Sequence, residues 1–301
     1  MNSLSISFWP LYSLLSLVAT AISVPDTEVS TSAIFQVYTN NIRYDAKDLM
    51  SMELPWAERK VGVVGTMLAV SANMSTVFAL QEVTYNQLLD IKTEMNWNSQ
   101  SWAHIGEGRD GGVAGEYNPI LYNVNEWDLL SNYTRWLSET PGTPSAYKGK
   151  CFNRIVSIGI FRHKSTGSIV NVLNTHFCHK YEDSRQFQAY EILKHVDAIG
   201  LGNPTIVAGD LNSERTSVAY SILSDVVKEH GDPLELPTVS GFQSGGKGST
   251  IDYVFSKGNL VSLSHAVLDN MLYDQYRFSD HRPVLEVFEL APTLVARACA
   301  A

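Results

Sequence analysis

Basic runs, clustered thiols and long apolar stretches are what this 301-residue chain has least of, and each shortage removes a class of function. Lys and Arg number 22 against 31 Asp and Glu, a formal net charge of −9, and no segment concentrates the cations. Tight non-specific binding to a nucleic-acid backbone needs a basic surface and is therefore disfavoured. A nuclease is not excluded, because its catalysis needs only a local groove and a cation. The three cysteines, Cys151, Cys178 and Cys299, form no CxxC pair, which argues against a zinc centre. After the N-terminal stretch no run reaches the ~20 apolar residues of a membrane span, so no stable span is expected. Gly245-Gly246-Lys247-Gly248 lacks the spacing of a phosphate-cradling P-loop. No internal repeat or linker-like change of composition divides the chain, so one domain is expected over residues 30–291, with a short tail at 292–301.

Charge is also missing from Met1 to Val24, which contains no Lys, Arg, Asp or Glu. Its apolar part, Phe8 to Val18, runs into Ala19-Thr20-Ala21, an A-x-A cleavage pattern. Residues 1–21 read as a signal peptide and the protein as secreted, with an N-terminal anchor or buried segment as the alternative because the usual positive leading region is lacking. The sequons at Asn73 and Asn132 would suit a secreted glycoprotein. Cys151 and Cys178 flank two strand-like runs joined by Lys164-Ser165-Thr166-Gly167, and a hairpin there brings them close. A disulfide and two free thiols on neighbouring strands remain equally open.

What is present is an alternation of short apolar runs and amphipathic segments. Strands are expected at 34–38, 76–83, 120–122, 154–162, 169–177, 205–208, 251–255 and 283–290, and helices at 56–70, 85–95, 184–199 and 217–227. Hairpins mixed with strand–helix–strand units predict an α/β fold of two packed sheets with helices outside. Polar residues cluster at the strand ends: Asn40-Asn41, Gln81-Glu82, Asn174-Thr175-His176, Asp210 with Asn212, and Asp280-His281. One such pair is an ordinary turn; five such clusters of carboxylate, amide and imidazole groups suggest a site built on rigid elements. Carboxylate and amide oxygens suit a hard cation, Mg²⁺ first, with Mn²⁺ or Ca²⁺ as alternatives.

Taken in order, TNNIR at 39–43, LQEV at 80–83, GEYNPI at 115–120, NTHF at 174–177, GDLNS at 209–213, IDY at 251–253 and SDHRP at 279–283 resemble the motif set of the endonuclease/exonuclease/phosphatase superfamily. That resemblance spans about 34–290 and implies a four-layer sandwich, two mixed β-sheets flanked by helices, that hydrolyses phosphoesters with an activated water. It implies metal ligation by Glu82 with Asn41 beside it and Asp280 as a further ligand. It makes Asp210 the group that orients or deprotonates water, Asn212 a phosphate holder, and His281, steadied by Asp252, a group that acts on the scissile phosphate or as general acid/base. It also implies phosphate donation by His176, a pairing of Glu116 with His176, and an Arg154 phosphate contact. Asn40 is expected to be a turn or supporting residue, and Arg109-Asp110 a turn or rim contact. Secreted members of the group usually read THFDH where this chain has Thr175-His176-Phe177-Cys178-His179; the change weakens or retunes the site if that Asp supports it, and a Cys151–Cys178 bridge would be one structural reason for it. The expected partner is a small phosphorylated substrate acted on by a monomer. The alternatives are an endonuclease or deoxyribonuclease acting on nucleic acid, and a non-catalytic secreted binding protein that retains the fold.

Overall fold

A computed structural model describes residues 32–97, 101–199, 202–231, 236–243 and 248–290. The expected leader at 1–21, the tail at 292–301, Cys299 and residues 245–247 lie outside them. In chain order the first half contains β1 (Ala33–Asn41), α1 (Trp56–Ser71), β2 (Thr76–Gln81), α2 (Tyr85–Met95), β3 (Trp102–Ile105), β4 (Ile120–Asn123) and β5 (Trp127–Trp136). Then come β6 (Ile155–His163), β7 (Ile169–His176), α3 (Glu182–Ile199), β8 (Thr205–Asp210), α4 (Val218–Ser224), β9 (Lys228–Glu229) and β10 (Asp252–Lys257). The last strands are β11 (Leu260–Val267), β12 (Met271–Tyr273), β13 (Tyr276–Arg277) and β14 (Val284–Leu290).

Two six-stranded sheets form, ordered β11-β14-β1-β2-β4-β3 and β5-β6-β7-β8-β10-β9. Each has one parallel pair at its centre, β1 with β2 and β7 with β8, and antiparallel neighbours on both sides. A helix, α1 or α3, makes the crossover inside each parallel pair, as a parallel connection requires. The sheets pack face to face, which gives the α/β sandwich expected from the sequence.

The central strands carry apolar residues on both faces, and the two periods separate cleanly. Phe35, Val37, Val77, Ala79, Val172, Ile206, Ala208 and Val254 point into the core between the sheets. Tyr38, Phe78 and Leu80 point outward against Val63, Met67, Leu88 and Ile91 of α1 and α2. Leu173, Val207, Tyr253 and Phe255 meet Ala189, Ile192 and Val196 of α3 on the opposite outer face. The layers are thus helix, sheet, sheet, helix. Three edge strands, β3, β5 and β11, extend the sheets beyond what the apolar runs predict, and α4 is shorter than expected. The sequon residue Asn73 is exposed between α1 and β2, and Asn132 is exposed on β5.

Candidate active site

The inward-facing positions that build the core turn polar at one end of the central strands. On β1 the inward series Phe35, Val37 continues to Thr39 and Asn41; on β2, Val77 and Ala79 lead to Gln81. On β7, Val170 and Val172 lead to Asn174 and His176; on β8, Ile206 and Ala208 lead to Asp210. Asp252 opens β10 directly opposite Asp210. The strand period therefore aims residues from both sheets at one place. Just below, Gln81 Nε2 donates across the seam to Asn174 Oδ1 at 2.7 Å, and Asn174 Nδ2 donates to Leu80 O and Pro119 O, both at 2.8 Å. That polar layer separates the apolar core from the site.

Asp210 is the hub. Its Oδ2 accepts from Asn41 Nδ2 at 3.0 Å and lies 3.4 Å from His176 Nε2 and 4.0 Å from His281 Nε2. Its Oδ1 accepts from the Asn212 backbone N–H at 2.8 Å. Burial and the neighbouring Asp252 push its pKa up to about 7, against the lowering effect of His281, Asn41 and Asn212. Gly209 precedes it at φ 142°, where a Cβ would collide with the Thr175 carbonyl, so only glycine lets β7 and β8 close here.

His281 Nδ1 is 2.8 Å from Asp252 Oδ2. Burial opposes charge on this ring, but Asp252, Asp210 and Asp280 together outweigh it and hold the imidazolium well above its ordinary range. His176 goes the other way: burial, then Arg154 and His281, drive it well below the usual value and keep it neutral. Two imidazoles beside one carboxylate are thus poised in opposite protonation states.

Glu82 follows β2 with φ 59°, a left-handed conformation unusual for a side-chain-bearing residue. Its Oε1 accepts from Asn41 Nδ2 at 3.0 Å and its Oε2 from the Tyr44 N–H at 3.2 Å. Asn41 Oδ1 accepts from the Arg43 N–H at 3.0 Å. Asp280 is raised by burial and, despite His281 and Arg43, by the repulsion of Glu82; its solvent-shielded Oδ1 has no hydrogen-bond partner among the described residues. Two carboxylates near enough to repel each other, one with an orphaned oxygen, fit a hard divalent cation. Asp210, Asp252 and His281 also place ligand atoms within 4.8 Å of one another. In this second group Asp252 Oδ2 and His281 Nδ1 hydrogen-bond to each other, while the buried Asp252 Oδ1, like Asp280 Oδ1, has no partner among the described residues.

One expected pairing is absent. Glu116 does not meet His176; its Oε2 takes Arg109 Nη1 at 2.7 Å, and the same two residues pair through Arg109 N–H and Glu116 O at 2.9 Å. The loop from Gly108 to Glu116 folds back as its own hairpin, so Glu116 finds the cation beside it in that turn. Burial, then Glu82, raise its pKa, with Arg109 and Arg154 opposing. Asn212 Nδ2 donates to Phe177 O at 3.1 Å, which fixes its amide beside Asp210. Arg154 is 4% exposed, makes no ion pair within 4 Å among the described residues, and burial lowers it to about 10. Its Nη2 lies 3.4 Å from His179 Nδ1. Cys151 and Cys178 are joined, with Cα atoms 6.0 Å apart, and the bond ties the loop leading to Arg154 onto the exit of β7. Asn40 is buried and donates to His281 O at 3.4 Å, a supporting contact.

The sequence did not signal Arg59 as part of this assembly, and it placed Ser279 within the SDHRP motif without giving it a role. Fully buried Arg59 on α1 donates to the carbonyls of Ile42, Phe278, Arg43, Tyr44 and Leu54 at 2.7–3.1 Å. Ser279 Oγ donates to Asn41 O at 2.6 Å and accepts from the His281 N–H at 3.2 Å. The Ser279 hydroxyl adjoins Asp280-His281 and lies within the motif; Arg59 resembles any helical cation.

Comparison with known proteins matches residues 41–281 to the Endonuclease/Exonuclease/phosphatase family. A family protein from Bacteroides thetaiotaomicron superposes with a TM-score of 0.77 at 25% identity, covering 86% of this chain and 99% of that one. The mannosyl-6-phosphatase of Bacteroides thetaiotaomicron gives 0.75 at 26% identity, over 84% and 99%. An RNA exonuclease of Saccharomyces cerevisiae is 30% identical over 135 residues, 38% of this chain and 37% of that protein.

Proposed function

The chain belongs to the endonuclease/exonuclease/phosphatase family, and we propose that its converging carboxylates and imidazoles carry phosphoester hydrolysis in a secreted, magnesium-dependent hydrolase of small phosphorylated molecules. The observation that carries this reading is Asp210, shared by Asn41 and two oppositely poised imidazoles and raised to about 7. A group titrating there exchanges protons efficiently near neutral pH.

Asn41, Glu82 and Asp280 would hold the cation, which when bound supplies Lewis-acid polarisation of a phosphoryl oxygen. Asp210 takes a proton from water as the water oxygen bonds to phosphorus and the bond from phosphorus to the leaving oxygen breaks. His281, fixed at Nδ1 by Asp252, presents its Nε2–H to phosphoryl charge, and neutral His176 and Arg154 add donors. The leaving oxygen takes the His281 Nε2 proton and departs as an alcohol, and the proton gathered by Asp210 then restores the imidazolium beside it.

The net charge of −9 and the likeness to a mannosyl-6-phosphatase support a small substrate. Nuclease activity is the second reading, supported by the likeness to an RNA exonuclease. Turnover of a sugar phosphate, a generic phosphodiester and a short RNA, each with magnesium and again with chelator, decides between them. Metal-dependent turnover of the sugar phosphate is expected; no turnover of any ester would sink the hydrolase reading in favour of a binding protein. The leader-like Met1–Ala21, the disulfide and the exposed sequons support secretion. Expression in a secretory host should release a glycosylated protein that begins after Ala21, and retention inside the cell would contradict it.

A further inference from the structure

Beside the cation-side carboxylates lies an open groove of about 300 Å³, walled by Tyr44, Tyr85, Asn86, Arg109, Val113 and Glu116. It adjoins the proposed phosphate site, since Tyr44 in its wall donates its backbone N–H to Glu82. Nothing in the reaction described above uses these side chains together.

We propose that this groove is the leaving-group subsite and that it receives a single hydroxyl-rich ring, such as a hexose carrying the scissile phosphate. The proposal rests on the hydrolase reading and names its substrate class. Tyr85 is 41% exposed and is held by near-parallel packing on Tyr117, with ring centroids 6.4 Å apart and planes inclined by 24°. Tyr44 is braced by the Arg43 guanidinium 4.4 Å from its ring centroid. Rings steadied in this way offer flat apolar surface to the C–H face of a sugar. The same groove is lined by the Arg109–Glu116 pair, bonded through both side chain and backbone. Donors and acceptors side by side suit neighbouring hydroxyls, each of which both donates and accepts. Exposed Asn86 adds an amide with the same double capacity.

The alternatives fit less well. The volume sits at the low end for ligand pockets, room for one ring between the walls. The loop from 107 to 116 sets Glu107, Asp110 and Glu116 against Arg109 alone, which repels a second phosphate.

The test uses the full chain carrying Asp210→Asn, which stops turnover, with magnesium present. Calorimetry compares a hexose 6-phosphate with ethyl phosphate, which has the phosphate but no ring. The hexose ester should bind at least tenfold tighter, and adding Tyr85→Ala or Asn86→Ala should remove most of that preference. Circular dichroism checks that the variants fold. Equal affinity for both esters, preference intact in both variants, or tighter binding of a dinucleotide would overturn the proposal. Turnover of neither ester by the parent protein would instead remove the hydrolase reading, and the binding ratio would still report on the subsite.

Discussion

At His281 burial and charge oppose each other most strongly: the ring is 8% exposed and yet stays protonated because three carboxylates face it. Asp252 is the one that also fixes its orientation, through the 2.8 Å contact at Nδ1. Asp252→Asn keeps the shape and removes the charge, so kcat should fall by about 10²–10⁴-fold while KM changes little. NMR titration should show the His281 ring charged through neutral pH in the parent and losing its proton at lower pH in the variant. A near-normal kcat in Asp252→Asn would remove Asp252 from the assembly. At this scale the sequence was informative for Glu82, Asp210, Asp252 and His281, because acidic and imidazole groups at strand ends are hard to explain otherwise. It misled for Glu116, whose partner depends on how a local hairpin turns, and no residue spacing encodes that.

Between elements, Arg59 joins α1 to the segments that follow β1 and precede β14. One side chain satisfies five carbonyls, among them those of Ile42, Arg43 and Phe278 beside the cation-side residues. Arg59→Met fills similar space and leaves those acceptors in a buried setting. Unfolding free energy by urea denaturation should fall by about 3 kcal/mol or more, and magnesium affinity should weaken as the loops loosen. A change within about 0.5 kcal/mol would mean that water replaces the guanidinium without loss. The central strands were legible because strands buried on both faces read as unbroken apolar runs. Strand β5 was not, since most of its residues are exposed or half-buried and its pattern is broken by a register shift between Leu129 and Ser131. Strand β11, also at an edge, has a similar shift between Ser262 and Ser264. Edge strands expose one side of their pairing and place fewer demands on composition.

Over the whole molecule, proton uptake is divided between two sets of groups. Burial lowers His104, His163, His195 and His230, so the folded chain resists protons that the unfolded chain accepts below about pH 6.5. Their contribution to stability is present above that value and is lost as pH falls towards the folded-state pKa. The raised carboxyls of Asp210, Asp280 and Glu116 act with the opposite sign, so a single substitution isolates the effect better than the full profile. His195→Gln should lose less melting temperature than the parent between pH 7 and 5; parallel curves would refute the linkage. The layered architecture was readable as a class, from hairpins mixed with strand–helix–strand units. That the two sheets would share one pattern around a central parallel pair was not, because strand order is set by long-range pairing that local periodicity does not record.

The seam between the sheets also sets when the protein becomes competent. Glu82 leaves the first sheet and Asp210 the second, while Asp280 and His281 arrive only with the approach to β14, the strand that joins β11 to β1. A nascent chain synthesised only through β11 has made most of both sheets but lacks Asp280, His281 and the strand that lies between β11 and β1. The proposed chemistry therefore stays off in any chain cut short of β14, however much of the scaffold it has built.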